Sequence, residues 1–175
     1  MKITLFGLAG SGTSTVGKML ANKREYTFMS TGNIMRKWAD DAGYSLYEFE
    51  DTIVKNDTSF DTKLDLKVEE FWKKNNDFIF ESRLAWHFIP DSFKIYLHCD
   101  AWERYTRIQK REWDFLDSIT KKTQKRETEL VTRYNEIYPE IVFPPHKDNF
   151  DLYIDATNIS PDEILKIIVQ SIKKQ

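Results

Sequence analysis

The chain predicts an α/β fold: a five-stranded parallel sheet with helices on both faces. Strand and helix signals alternate along its 175 residues, the pattern of strands joined by right-handed crossovers. The first strand runs directly into a glycine-rich turn with a helix behind it. No repeat or low-complexity tract interrupts the alternation.

In chain order, the short apolar run Lys2–Phe6 reads as a buried strand. A helix follows from Thr13 to Arg24, a second strand over Tyr26–Met29, and a helix over Thr31–Ala42 stopped by Gly43. Ser45 and Glu48 have capping-box spacing for another helix, and Leu64–Lys74 is amphipathic. Asp77–Glu81 and Phe93–His98 read as strands. Asp100 and Glu103 are placed to cap a helix through Glu112, and a charged helical stretch runs over Ser118–Ile141. Leu152–Ile154 is the last strand. Ser160, Pro161 and Glu163 start a terminal helix with cap, N1 proline and box together.

Composition narrows the function classes. A net charge of −2 and a pI near 6.0 give no bulk attraction to nucleic acid or membrane. The longest apolar runs fall far short of the roughly 20 residues a membrane span needs. One cysteine, Cys99, excludes an internal disulfide framework and fits a reducing cytosol. We therefore expect a cytoplasmic protein with small-molecule partners; the sequence does not fix an oligomeric state, and a monomer is the default for a chain of this size. His87, His98 and His146 lack ligand spacing with one another or with Cys99, and read as structural.

The segment Gly7-Leu8-Ala9-Gly10-Ser11-Gly12-Thr13-Ser14 follows the phosphate-loop spacing G-x-x-x-x-G-K-[ST] at Gly7, Gly12 and Ser14. Such a loop turns successive amide N–H groups onto phosphate oxygens at a helix N-terminus, with Thr15 in the first helical turn. The Ser14 hydroxyl is placed to ligate Mg²⁺. Thr13 stands where the pattern has lysine, which leaves open a nucleotide-binding protein with little activity.

The chain has 18 lysines but only 8 arginines. Arginine's planar fork binds phosphate bidentately, as lysine cannot. Arg104, Arg107 and Arg111 fall within about 60° of one helix face. Arg126 and Arg133, seven apart, again share a face. Phosphoryl transfer builds charge on equatorial oxygens, which such a set would neutralise. Glu103, Glu112, Asp114, Asp117, Glu127 and Glu129 are interspersed with them, which argues against a nucleic-acid arm.

Taken in order, the motifs resemble a known family. Ser30-Thr31-Gly32-Asn33-Ile34-Met35-Arg36 is similar to the S-T-G-D-x-x-R segment of nucleoside monophosphate kinases. Glu81-Ser82-Arg83-Leu84-Ala85 resembles E-G-R-L-A of the archaeal-type cytidylate kinases, and Asp61–Asp65 their D-x-x-L-D. Arg104–Glu112 resembles the R-x-x-R-x-x-x-R-E stretch that opens their lid, and Arg126 to Tyr138 the later lid. Asp151–Glu163 resembles their ending. Asn33 and Ser82 depart from the pattern.

The resemblance implies a P-loop NTPase sandwich, a single domain over 1–175 with an acceptor-binding insert at about 30–75 and a lid at about 104–142. It implies a kinase that moves the γ-phosphoryl group of ATP to CMP or dCMP with Mg²⁺. UMP, AMP or another small acceptor remains an alternative. ATP would lie on Gly7–Thr15. The acceptor would lie on Thr31, Arg36, Asp61, Asp65 and Arg83. Ser14 and Glu81 would serve the metal, and the five lid arginines the transferred group.

Overall fold

The computed structural model describes residues 1–57 and 59–173. Five strands, β1 (Lys2–Phe6), β2 (Thr27–Ser30), β3 (Phe78–Glu81), β4 (Phe93–His98) and β5 (Leu152–Asp155), form one sheet in the order β2-β3-β1-β4-β5. The pairings of β1 with β3, β2 with β3 and β4 with β5 are parallel. Helices cover both faces, as the alternating pattern requires. Strand chemistry follows position: β1 and β3 are almost continuously buried and apolar, whereas the edge strands β2 and β5 are partly exposed.

The helices are α1 (Thr13–Arg24), α2 (Thr31–Asp41), α3 (Leu46–Thr52), α4 (Phe60–Lys74), α5 (Ala85–Phe88), α6 (Ala101–Glu112), α7 (Leu116–Ile137) and α8 (Pro161–Ile172). Both capping boxes expected at Ser45/Glu48 and Ser160/Glu163 are formed. Three local expectations are corrected. α4 starts at Phe60, a turn before Leu64, because the Asp57 carboxylate accepts from the Ser59 N–H at 2.9 Å and folds the chain into the helix. α7 stops at Ile137, because Pro139 disfavours helical backbone at Tyr138, which caps the helix with ψ 67. Glu103 does not cap α6; its carboxylate accepts from Arg107 Nε at 2.9 Å instead.

The chain divides into two compact units. The first comprises Met1–Phe6 and Ser14–Phe93. Its core packs Phe78 and Phe80 of β3 against Val68, Ala85 and Ile89, with Phe71 over both rings at 5.2 and 5.6 Å. A second cluster, Ala39, Phe49, Val54 and Phe60, joins α2, α3 and α4, with Trp38 edge-on to Phe60 at 5.3 Å. Aromatic pairs of this geometry add about 0.5–1.5 kcal/mol beyond the area they bury.

The second unit comprises Gly7–Thr13 and Lys94–Gln175. Here α6 and α7 form a hairpin around Tyr105, Ile108 and Ile119, with Ala9 packed against them. Trp113 turns the chain between the two helices with φ 54. The next residue, Asp114, accepts from the Phe115 N–H at 2.7 Å and from Ser118 Oγ at 2.9 Å. Among the described residues no helix is long and apolar enough to cross a membrane.

Candidate functional site

In a parallel sheet, loops that leave the carboxyl ends of strands form the ligand-binding edge. β1 leaves the sheet into the loop from Gly7, and β3 ends at Glu81. The two ends are in register, Leu5 opposite Glu81, and the Ser82 N–H donates to Leu5 O at 3.2 Å.

The loop turns tightly. The Ser11 N–H donates to Leu8 O at 3.1 Å, and Gly10 and Gly12 adopt φ 84 and 98, a region that side-chain-bearing residues rarely enter. At Gly10 a Cβ would also lie 2.5 Å from the Arg104 carbonyl oxygen. The Ser11 hydroxyl is buried and has no hydrogen-bond partner among the described residues. A buried donor left open in a tight glycine loop at a helix N-terminus suits an anionic oxygen. Thr13 begins α1 and is only 6% exposed. Thr15, one residue beyond Ser14, is exposed.

Ser14 is held by β3. Its Oγ donates to Glu81 at 2.8 Å to Oε1 and 2.7 Å to Oε2. A hydroxyl and a carboxylate thus share one point at the end of the sheet. Among the described residues no group of three or more His, Cys, Asp or Glu side chains could hold a metal. A two-residue oxygen set fits Mg²⁺, which keeps its waters and binds through one or two protein ligands plus substrate phosphates.

The five arginines expected on a lid separate into two groups. Arg104 is 4% exposed. Its Nη1 donates to Ala9 O at 2.9 Å and to Glu127 Oε1 at 2.6 Å, and its Nη2 to Glu127 Oε2 at 3.3 Å. Arg107 donates to the carbonyls of Ser11, Ala156 and Thr157 at 3.4, 2.9 and 3.1 Å. Both guanidinium groups therefore brace the glycine loop through its carbonyls. Arg111 is exposed and pairs with Glu112 at 2.6 Å. Arg126 and Arg133 lie on α7, with the Arg133 guanidinium 5.9 Å from the Tyr134 ring. The sequence did not single out Glu127 or the Ala156–Thr157 backbone as partners. Glu127 lies 23 residues from Arg104 and Ala156 49 from Arg107, separations that leave no periodic trace.

The expected acceptor residues all lie in the first unit. α2 is capped by Ser30, whose Oγ accepts from the Asn33 N–H at 3.3 Å, so Thr31 is the first helical residue and not the cap. Arg36 reaches back along α2 and donates to Asn33 Oδ1 at 2.6 Å. Arg83 follows β3, with its carbonyl accepting from Trp86 Nε1 at 3.0 Å. Asp61 is buried in the first turn of α4. Asp65, one turn on, is half-buried. Burial first, and then the Asp61 charge, push its carboxyl up to about 6. A pair of carboxylates in partly dry surroundings can read amino and hydroxyl donors, one of them within the physiological titration range. Cys99 is buried, and burial raises its thiol above the ordinary range, so it has little thiolate character.

The chain matches the family model described as AAA domain over residues 3–131. It is 32% identical to the cytidylate kinase of Methanobrevibacter smithii over 99% of both chains. It is 37% identical to that of Methanosarcina mazei over 79% of this chain and 78% of the relative. In fold it resembles the shikimate kinase of Acinetobacter baumannii, solved with shikimate, with TM-score 0.64 at 15% identity over 99% of this chain and 93% of that one. The glycine loop after β1, the hydroxyl–carboxylate pair at the ends of α1 and β3, and identity above 30% over most of the chain lead to one conclusion: the chain belongs to the cytidylate kinase family of P-loop nucleoside monophosphate kinases.

Proposed function

We propose that the protein transfers the γ-phosphoryl group of Mg²⁺-bound ATP to CMP or dCMP, giving ADP and the corresponding diphosphate. The observation that carries this reading is the Ser14–Glu81 pair, a hydroxyl in the first turn of α1 and a carboxylate at the carboxyl end of β3. It is supported by the cytidylate kinase relatives, which match 99% and 79% of the chain.

In this reading the amides of Gly7–Ser14 and the Ser11 hydroxyl hold the ATP phosphates. Ser14 and Glu81 would hold the ion, which would supply charge neutralisation at the phosphates. Arg104 and Arg107 act as positioning residues that fix the loop through Ala9 and Ser11. Arg111, Arg126 and Arg133 neutralise the transferring group as the lid of about 104–142 closes and excludes water. Thr31, Arg36 and Arg83 hold the acceptor phosphate, and Asp61 and Asp65 accept from the base amino group or ribose hydroxyls, within an insert of about 30–75. No general base is needed, because the attacking phosphate oxygen is already anionic. Catalysis is positioning and charge neutralisation.

The test is to incubate the purified protein with Mg-ATP and each of CMP, dCMP, UMP, AMP and GMP, following ADP release. Turnover highest with CMP or dCMP is expected. Highest turnover with another acceptor would overturn the specificity and keep the reaction class; no turnover with any of the five would overturn both.

A further inference from the structure

A cleft of about 620 Å³ lies between α2, α4 and the edge strand β2, and none of the residues assigned above to the acceptor lines it. Its α2 wall is Asn33, Ile34, Lys37 and Trp38. At 100° per residue these four occupy one arc of the helix, while Thr31, Gly32, Met35 and Arg36 occupy the opposite one. Its α4 wall is Lys67, Glu70, Phe71 and Lys74, a single stripe at i, i+3, i+4 and i+7. Asp61 and Asp65 lie on the other side of that helix. The cleft thus adjoins the proposed acceptor site at Asn33, the hydrogen-bond partner of Arg36, but opens on the other arc of both helices.

Its chemistry is specific. Phe28, Trp38 and Phe71, all half-buried, give it aromatic walls, and Phe71 is braced from the core by the buried Phe80 ring at 5.6 Å. Three ammonium groups, from Lys37, Lys67 and Lys74, stand against a single carboxylate, Glu70. Other lysines of α4 are neutralised, Lys63 by Asp57 and Lys73 by Glu69. Lys37 and Lys74 have no ion-pair partner among the described residues, and Lys67 lies over the Trp38 ring at 5.7 Å. A concave site of this volume accommodates a small organic ligand. Aromatic walls suit a flat ring, and unpaired lysines a multiply charged anion.

We propose that this cleft is a second nucleotide site, which takes a nucleoside polyphosphate with its base on the Trp38–Phe71 wall and its phosphates on Lys37, Lys67 and Lys74. The proposal goes beyond the phosphoryl-transfer reading and does not depend on it.

Pyridoxal 5′-phosphate, a flat ring carrying a phosphate and an aldehyde, probes the cleft directly. Its aldehyde condenses with a lysine amine to an imine, releasing water, and added borohydride reduces the imine to a stable secondary amine. Mass-spectrometric mapping then shows which of the 18 lysines carry the label. At low reagent the label should concentrate on Lys37, Lys67 and Lys74. CTP should suppress it there by about tenfold or more. In the Lys37→Gln/Lys74→Gln variant, labelling of Lys67 should also fall about tenfold, because the phosphate loses two of its three cations. Both substituted positions are exposed on helices, and an unchanged melting temperature verifies the fold. Labelling spread over the lysines in proportion to exposure overturns the proposal. So does protection by inorganic triphosphate as strong as that by CTP, which would make the cleft a plain anion patch. Labelling of Lys18 alone, near the glycine loop, also overturns it while leaving the ATP-site reading intact.

Discussion

The guanidinium of Arg104 and the carboxylate of Glu127 meet at 2.6 Å inside the α6–α7 hairpin, where the guanidinium also donates to the carbonyl of Ala9 in the glycine loop. Arg104 is almost completely buried, so its charge depends on this partner. Glu127→Ala leaves that charge unpaired, which costs about 3 kcal/mol for a buried pair. At about 2–4 °C per kcal/mol for a chain of this size, the melting temperature should drop by about 10 °C. An unchanged melting curve would show that the pair contributes nothing to stability.

Ser14 and Glu81 separate folding from chemistry. Ser14→Ala removes one hydrogen bond and should cost about 1 kcal/mol of stability. Its effect on turnover should be far larger, about 100-fold, or about 2.7 kcal/mol in the barrier. Glu81→Gln should raise the Mg²⁺ concentration needed for half-maximal rate while leaving CMP affinity unchanged. Steady-state kinetics over a Mg²⁺ series measures both, and equal loss in ATP and CMP binding would contradict the assignment.

The two positive-φ glycines of the loop should differ in their tolerance of a side chain. Gly10→Ala meets both a positive φ and the Arg104 carbonyl at 2.5 Å, whereas at Gly12 the nearest atom is Arg107 Nη1 at 3.9 Å. The left-handed backbone alone costs about 1–2 kcal/mol for a residue with a Cβ. Gly10→Ala should therefore lower ATP affinity and melting temperature more than Gly12→Ala, measurable by calorimetry.

Thr13→Lys, which restores the common loop lysine, should lower turnover. Thr13 is buried, and its γ-methyl lies 2.8 Å from where a Cβ on Gly7 would sit, so the position is already filled. Forcing a longer side chain into packed space costs about 1–3 kcal/mol. A large rise in turnover would instead mark the loop as a lapsed lysine site.

Asp65 should give the protein a pH signature. Its carboxyl is raised from the ordinary 3.8 to about 6 by burial and by Asp61. Between these values the native state holds a proton that the unfolded chain has released, so this group's contribution to stability falls as pH rises through the window. Asp65→Asn should match the parent below about pH 4 and exceed it in stability above about pH 6. If the ionised carboxylate reads the acceptor, KM for CMP should also fall as pH rises through about 6, and Asp65→Asn should flatten that profile. A parallel profile in the variant would remove Asp65 from the acceptor site.

Much of this fold was legible in the chain. β1, α1 and β4 were read with their observed bounds, because each joins a clear apolar period to a strong boundary: the glycine turn, Arg24 with the next strand, and Asp100. The Ser45 and Ser160 capping boxes were legible for the same reason, since their partners lie three residues away. The motif order that resembles the cytidylate kinases was also legible, and the relatives bear it out.

What the chain alone left undetermined involves separation along the sequence. Nothing local links Ser14 to Glu81, 67 residues away, or Arg104 to Ala9, 95 residues away. Spacing put all five of these arginines on helix faces but could not tell the loop braces, Arg104 and Arg107, from Arg111, Arg126 and Arg133. Helical periodicity fixes which residues share a face and not what that face meets. The parallel sheet made the first decision, by registering Leu5 with Glu81. The α6–α7 hairpin made the second, by burying Arg104 between Glu127 and the loop. The Lys37–Lys67–Lys74 cleft belongs to the same class. Its walls come from α2, α4 and β2, and only their packing leaves three lysines around one aromatic hollow.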